Sequence, residues 1–436
     1  MKSIGKLTLL TSSTLLVVFG LVVFHAPISV FFGQFTSSEI IKGWKEIILL
    51  VAVPFVIFLI YKGGLLINLT KDRLLQLIGI YALLHFLLIL FFPTSAYQKI
   101  AGLAIDLRYL LFFVLIFCIV ALWPKSRSMF IKVGIIAAMI SITFALLQAT
   151  ILPHDILKHI GYSDTTISPY LTVDKNSDYV RINGTLRGPN PLGAYAGIIL
   201  SLLFAWCLTH RKTAYKYKWI FTGLGILMAT VIWASYSRSA FLALFISVLL
   251  ILLVTLKNKI NTQGILVAGV IVLAIMGSMF ALRNSSLVQN VILHNNPSTG
   301  SSVDSNNQHA ESLDRGMALF ILQPFGAGIG STGSASLNSE KPLIIENQYL
   351  LIAHETGWFG LGLFIVIYIY ILSRLYKYKR DWLSLGVFAS GIGLAVVGLL
   401  LPVWVDDTVS LIWFGLAAIA LGSHYKTKVK NNATSN

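Results

Sequence analysis

The chain has 436 residues, of which 56% are hydrophobic and 11% charged, with a mean hydropathy of +0.80. That leaves too little polar surface to cover a water-soluble globule of this size and marks an all-α, polytopic membrane protein. The formal charge of +16 is explained by topology, as set out below, and does not require a nucleic-acid partner.

Apolar runs long enough to cross about 30 Å of hydrocarbon occur near 8–24, 46–61, 74–92, 104–123, 131–152, 191–209, 219–236, 239–256, 264–282, 349–373, 383–401 and 409–422. About twelve transmembrane helices are therefore expected, in one domain spanning 1–436, the runs 46–61 and 409–422 being the shortest. Lys2 and Lys6 precede the first run, which is long and lacks a small-x-small cleavage site, so it reads as a retained helix. Cys118 and Cys207 both lie inside spans, and no disulfide framework follows.

With both termini placed in the cytoplasm, the inner segments carry a net +19 and the outer ones a net −3. This is the asymmetry expected when Lys and Arg concentrate inside, so both termini are expected on the cytoplasmic side. Contact with anionic membrane lipid is a by-product.

The outer segment from His25 to Lys45 is expected to be a bland interfacial anchor. Asp106 and Arg108 open the fourth span and are expected to pair with each other, the alternative being that they face a site. The outer loop 153–190 ends in Arg181-Ile182-Asn183-Gly184-Thr185-Leu186-Arg187-Gly188-Pro189-Asn190-Pro191. Its Gly and Pro fix a tight turn, and Arg181 and Arg187 suit an anion clamp as well as they suit plain interfacial snorkelling. Ser235-Tyr236-Ser237-Arg238-Ser239-Ala240 joins two spans almost without a loop. Small hydroxyls there can satisfy backbone groups freed at membrane depth. Arg238 has no acid nearby in sequence and is read as binding an anionic ligand. Gly223 and Gly225 suggest close helix contacts.

A large outer loop, 283–345, follows. It passes through His309, Glu311 and Arg315, narrows at Gln323-Pro324-Phe325-Gly326, and becomes Gly/Ser-rich from Gly328 to Gly333. Loops of that length are usually functional or disordered, and this one reads as a substrate loop feeding a reactive helix start. That helix opens Glu346-Asn347-Gln348-Tyr349-Leu350, a carboxylate and amides crowning its outer end. His354 and Glu355 lie about two turns deeper. They are expected to form a hydrogen-bonded knot between helices, with a relay as the alternative. Asp406 and Asp407 fall in the last outer turn and are expected to be solvated, while the tail Lys426 to Asn436 stays cytoplasmic. No repeat, phosphate-cradling loop or metal spacing appears, and the histidines are too scattered for zinc.

The order of four pieces resembles the O-antigen ligase and Wzy-type polysaccharide polymerase superfamily: Arg181 to Pro191; Ser237-Arg238-Ser239; Arg315 followed by Pro324-Phe325-Gly326-Ala327-Gly328-Ile329-Gly330; and Asn347-Gln348-Tyr349-Leu350 with Glu355-x-Gly357-x-x-Gly360. The resemblance covers the C-terminal two-thirds. It implies an integral-membrane glycosyltransferase acting at the outer face on an undecaprenyl-diphosphate-linked glycan donor and a glycan acceptor, inverting, with no cofactor or metal. Chain-length regulators or export proteins are further partners it suggests. Arg238 and Arg315 would bind the diphosphate leaving group, with Arg181 and Arg187 as lesser members of the clamp and Asn347 and His354 contributing to substrate binding. Family ligases typically carry His before the asparagine, whereas this chain has Glu346, which moves the reading toward a polymerase and makes Glu346 the expected general base. Fixed guanidinium groups would stabilise charge developing on the leaving diphosphate, and a carboxylate would accept the acceptor's proton. A ligase acting on a lipid, protein or cell-wall acceptor is the alternative. A transporter or flippase would favour midplane charges and inverted repeats, which are not evident here.

Overall fold

The computed structural model describes residues 2–36, 41–173, 175–256 and 305–433, together with residues 285 and 289. The expected span 264–282, the first part of the large loop, Lys257 and Lys259 lie outside the described residues.

Every other expected span is a helix. In chain order these elements are α1 (Lys2–Leu21), α2 (His25–Gly33), α3 (Trp44–Lys62), α4 (Leu66–Thr70), α5 (Arg73–Phe91), α6 (Ala96–Leu122) and α7 (Ser126–Thr150). There follow the strands β1 (Tyr170–Val173) and β2 (Asn176–Ile182), then α8 (Pro189–Thr209), α9 (Arg211–Lys216), α10 (Lys218–Ala234) and α11 (Arg238–Leu256). The chain closes with α12 (Ser305–Leu322), α13 (Gln348–Lys377), α14 (Trp382–Val397) and α15 (Asp407–Ala433). Among the described residues nine helices are long and apolar enough to cross a membrane, and α10 and α14 are shorter apolar helices.

Besides the short helices α2, α4 and α9 in the connections, two elements were not expected. Loop 153–190 contains an antiparallel hairpin, with Tyr170 opposite Ile182 and Leu171 opposite Arg181. The large loop contains α12, whose polar sequence gave no apolar run to mark it as a helix.

Asymmetric burial organises the bundle. α15 is buried along nearly its whole length from Thr408 to Leu421 and packs on α6, itself buried from Arg108 to Ala121 apart from Leu111 and Val114. α8, α11 and α14 form a second packed group in which small residues let backbones approach closely. A Cβ on Gly393 would stand 2.4 Å from the Ala243 carbonyl oxygen. By contrast, nothing among the described residues lies within 4 Å of a Cβ on Gly223 or Gly225, so the close contacts expected there are not found.

At one end, Arg374 bonds Asp72 at 2.9 Å and Arg127 bonds Asp381 at 2.5 Å. Asp72 and Asp381 are therefore spent on ion pairs that tie helices together. At the opposite end lie the starts of α8, α11, α13 and α15, where the remaining polar side chains gather.

Candidate active site

Asn347 begins α13 as its N-cap: its side-chain oxygen accepts from the amides of Tyr349 and Leu350, both at 3.0 Å. Its Nδ2 donates to the Leu399 carbonyl at 2.8 Å, and the Gln348 amide donates to Gly398 at 2.8 Å. The start of α13 is therefore bolted to the segment after α14, and the cap is Asn347. Asn347 is thereby committed to the fold, and Glu346 is not the cap.

α13 is broken at Gly357, which takes φ +70 and ψ −176, a conformation essentially confined to glycine. A break inside a span frees backbone groups that must be satisfied. The Pro324 to Ala327 segment does this: the Trp358 amide donates to the Pro324 carbonyl at 2.9 Å, and the Ala327 amide donates to the His354 carbonyl at 2.6 Å. The fit leaves no room for side chains, since a Cβ on Gly326 would meet the Gly357 nitrogen at 2.7 Å. Further on, Gly330 lies on Gln98, whose Nε2 donates to the Gly330 carbonyl at 3.1 Å. The glycine-rich segment is thus a strap between α6 and the break in α13.

The strap ends beside a buried acid pair. Glu355 hydrogen-bonds Asp106 and accepts from the backbone of Thr332 and Gly330. His85 Nε2 stands 3.7 Å from Asp106. The expected knot between helices is borne out for Glu355. His354 is buried with Nδ1 lacking a partner among the described residues, on the span about two turns beyond Glu346.

α12 lies across the start of α13. Ser312 Oγ accepts from the Glu346 amide at 3.0 Å, and a Cβ on Gly316 would meet Leu350 at 3.0 Å. His309, Ser312 and Gly316 share one helical face. His309 is thereby delivered to Glu346, and its Nδ1 bonds Glu346 Oε2. The hydrogen bond to Glu346 holds the His309 imidazole above its ordinary pKa, and the same bond holds the Glu346 carboxyl below its own. Arg238, at the start of α11, lies within electrostatic reach of His309 and pulls its pKa down. His309 carried no distinguishing sequence signal because its partner lies on another element. The spacing of His309, Ser312 and Gly316 was the available trace of a docked helical face.

Other arginines are divided. Arg181 Nε donates to the Ser235 carbonyl at 3.0 Å and its NH2 to Asn190 Oδ1 at 2.6 Å, tying the hairpin to the serine turn and to the start of α8. Arg187 is more than half exposed and stands 3.9 Å from Asp406. Arg315 is exposed beside the docked face of α12 and makes no hydrogen bond or ion pair among the described residues. The serine turn satisfies itself as expected, Ser235 Oγ donating to Ile232 at 2.6 Å and accepting from the Ser237 amide at 3.3 Å.

Arg187 and Asp406 line a cavity of about 180 Å³ with Asn190, Ser239, Val397 and Leu401. Its walls are largely apolar, and the cavity opens next to the segment that anchors Asn347 and Gln348. Burial pushes the Asp406 carboxyl above its ordinary pKa, with Arg187 pulling it down.

Three expectations are corrected at this end. Asp406 and Asp407 are not solvated: Asp406 is buried, and Asp407 bonds Arg108, with Lys45 at 2.9 Å and His25 at 2.8 Å. Asp106 and Arg108 do not pair with each other. Two positions apart on a helix they point away from one another, Asp106 toward Glu355 and Arg108 toward Asp407 and the Val405 carbonyl at 2.5 Å. The His25 to Lys45 segment is no bland anchor either, because Lys45 is buried and both of its ends feed this charge cluster.

Residues 223–365 match the family model described as O-antigen ligase. The match begins in α10 and ends in α13. It covers the serine turn with Arg238, the docked α12, the glycine strap and the helix break, whereas Arg181 and Arg187 lie before it. The resemblance to the O-antigen ligase and Wzy superfamily is borne out over that third of the chain. Fold and match together describe a polytopic membrane protein with a stretch similar to the O-antigen ligase family. No curated protein matches the chain.

Proposed function

We propose that this chain is a glycosyltransferase that polymerises undecaprenyl-diphosphate-linked oligosaccharide repeat units at the outer face of the cytoplasmic membrane, inverting and independent of metal. The observation that carries the reading is the His309–Glu346 pair docked at the start of α13, inside the family-matched stretch and within electrostatic reach of Arg238.

Glycosyl transfer from a diphosphate places negative charge on the leaving oxygen. Arg238 and Arg315, joined by Arg187 above the cavity, are the cations assigned to it. Planar guanidinium forks match phosphate oxygens and strengthen as that charge develops. Arg181 holds Asn190 and the serine turn in place. Glu346 belongs to the group that removes the acceptor hydroxyl's proton. The apolar cavity is suited to the first part of a lipid tail, and His354, buried with Nδ1 unpartnered among the described residues, is assigned to substrate binding.

Glu346, in place of the histidine usual in ligases, favours a polymerase. The description of the matching model, O-antigen ligase, supports the second reading, transfer to a lipid, protein or cell-wall acceptor. The test is the pool of lipid-linked glycan that builds up in cells lacking the gene. Single repeat units on the carrier support the polymerase, and long untransferred polymer supports the ligase. No change in either pool, with export of another solute failing, overturns both in favour of transport.

A further inference from the structure

The proton of the acceptor hydroxyl has two possible destinations at the start of α13, and their geometry separates them. An ionised carboxylate only accepts hydrogen bonds, so a bond between His309 Nδ1 and Glu346 Oε2 fixes the imidazole proton on Nδ1. Nε2, on the far side of the ring, then carries the lone pair. We infer that His309 is the general base and that Glu346 is the positioning residue that fixes its tautomer and compensates its charge. The inference rests on the glycosyltransferase reading above.

In the step, the acceptor oxygen attacks the anomeric carbon and a new C–O bond forms. The bond from that carbon to the diphosphate oxygen breaks, and its electron pair leaves on the diphosphate. The hydroxyl proton passes to Nε2, giving an imidazolium that Glu346 neutralises, and is later released to solvent. No further reactant is needed.

Three observations support His309 over Glu346 as the atom that takes the proton. His309 is held by a docked element, α12, rather than by a mobile side chain alone: Ser312 bonds the Glu346 amide at 3.0 Å and Gly316 packs on Leu350. His309 also stands within electrostatic range of Arg238, the cation assigned to the leaving group. Finally, the pair tunes the two groups in opposite directions, raising the imidazole and lowering the carboxylate. A base works best when its pKa lies near the operating pH. Among the described residues, the charged groups that face His309 are Glu346, which raises its pKa, and Arg238, which lowers it.

The test uses full-length protein in liposomes with the lipid-linked glycan extracted from cells lacking the gene, and reads kcat and kcat/KM against pH. Wild type should lose activity as pH falls through a pKa above the ordinary imidazole value of about 6.5. His309→Asn keeps a donor for Glu346 but has no base, and should lose about 10²–10⁴-fold in kcat with KM little changed. Glu346→Gln should lose less and move the acid limb to lower pH, an effect a purely structural role would not produce. His309→Gln, with thermal unfolding measured alongside, guards against a folding failure in the first variant. Near-wild-type kcat in both His309 variants, or an acid limb unmoved in Glu346→Gln, overturns the assignment. An acid limb of wild type below about pH 5 does so too, in favour of Glu346 as base. If wild type itself turns over none of the extracted glycan, the glycosyltransferase reading fails and this inference with it.

Discussion

The Ala327 amide donates to the His354 carbonyl at 2.6 Å, next to the turn where Gly357 interrupts α13. Two distant glycine motifs are therefore a single joint: one breaks the helix, and the other supplies the strap that satisfies the break. Gly357→Ala would force φ +70 on a residue with a Cβ and place that Cβ 2.6 Å from the Pro324 carbonyl oxygen. The backbone strain alone costs about 1–3 kcal/mol. A lowered unfolding temperature in detergent is expected, with activity falling further than folding because α12 and the strap both lean on this joint. Unchanged stability would show that the break is not required.

Asp407 sits among Arg108, Lys45 and His25. Removing its charge leaves buried cations without their counter-ion. Asp407→Asn should cost about 3–5 kcal/mol, the usual penalty for breaking one side of a buried pair. Thermal unfolding of the purified variant checks this, and a wild-type melting curve would refute it.

The His309–Glu346 bond has a definite pH signature. His309 is raised, so its share of stability is present below the ordinary imidazole value and lost as pH rises through its own folded pKa. Glu346 is lowered, so its share is present above the ordinary carboxylate value and lost as pH falls through its folded pKa. The bond therefore stabilises most between those two ordinary values. Both side chains are partly solvated, at 39% and 37% exposure, so the effect should be small. Unfolding temperatures of wild type and Glu346→Gln should differ most in that window and converge above and below it.

Much of this was legible in the sequence because it depends on local pattern. Long apolar runs give spans whatever their neighbours, and even the short runs 46–61 and 409–422 are helices, α3 and α15. The serine turn was readable because its hydroxyls bond within a few residues. α12 and the charge cluster were not, since each draws its meaning from a distant partner. Asp407 reads as a solvated turn residue until α6 brings Arg108 beside it. His309 reads as one scattered histidine until α12 docks on α13.

For the arginines, shape should matter as well as charge. Arg238→Lys and Arg315→Lys keep the cation but lose the planar fork, and activity should fall in both. Arg238→Ala and Arg315→Ala should weaken binding of undecaprenyl diphosphate to purified protein, measured by displacement of a labelled carrier. Arg187→Ala should fold normally, whereas Arg181→Ala removes two ties of 3.0 and 2.6 Å and should lower the unfolding temperature. Wild-type carrier binding by both Arg238→Ala and Arg315→Ala would take these residues out of the leaving-group site.

The most direct measurement of the whole account is the stoichiometry of transfer by the purified chain. Liposomes holding wild-type protein and lipid-linked repeat units are incubated with a metal chelator present, and free carrier diphosphate and glycan length are followed together. One undecaprenyl diphosphate released for each new glycosidic bond, with the chelator without effect and Arg238→Ala inactive, is the predicted result. Glycan that lengthens without release of carrier diphosphate, or only when a divalent metal is restored, would contradict it.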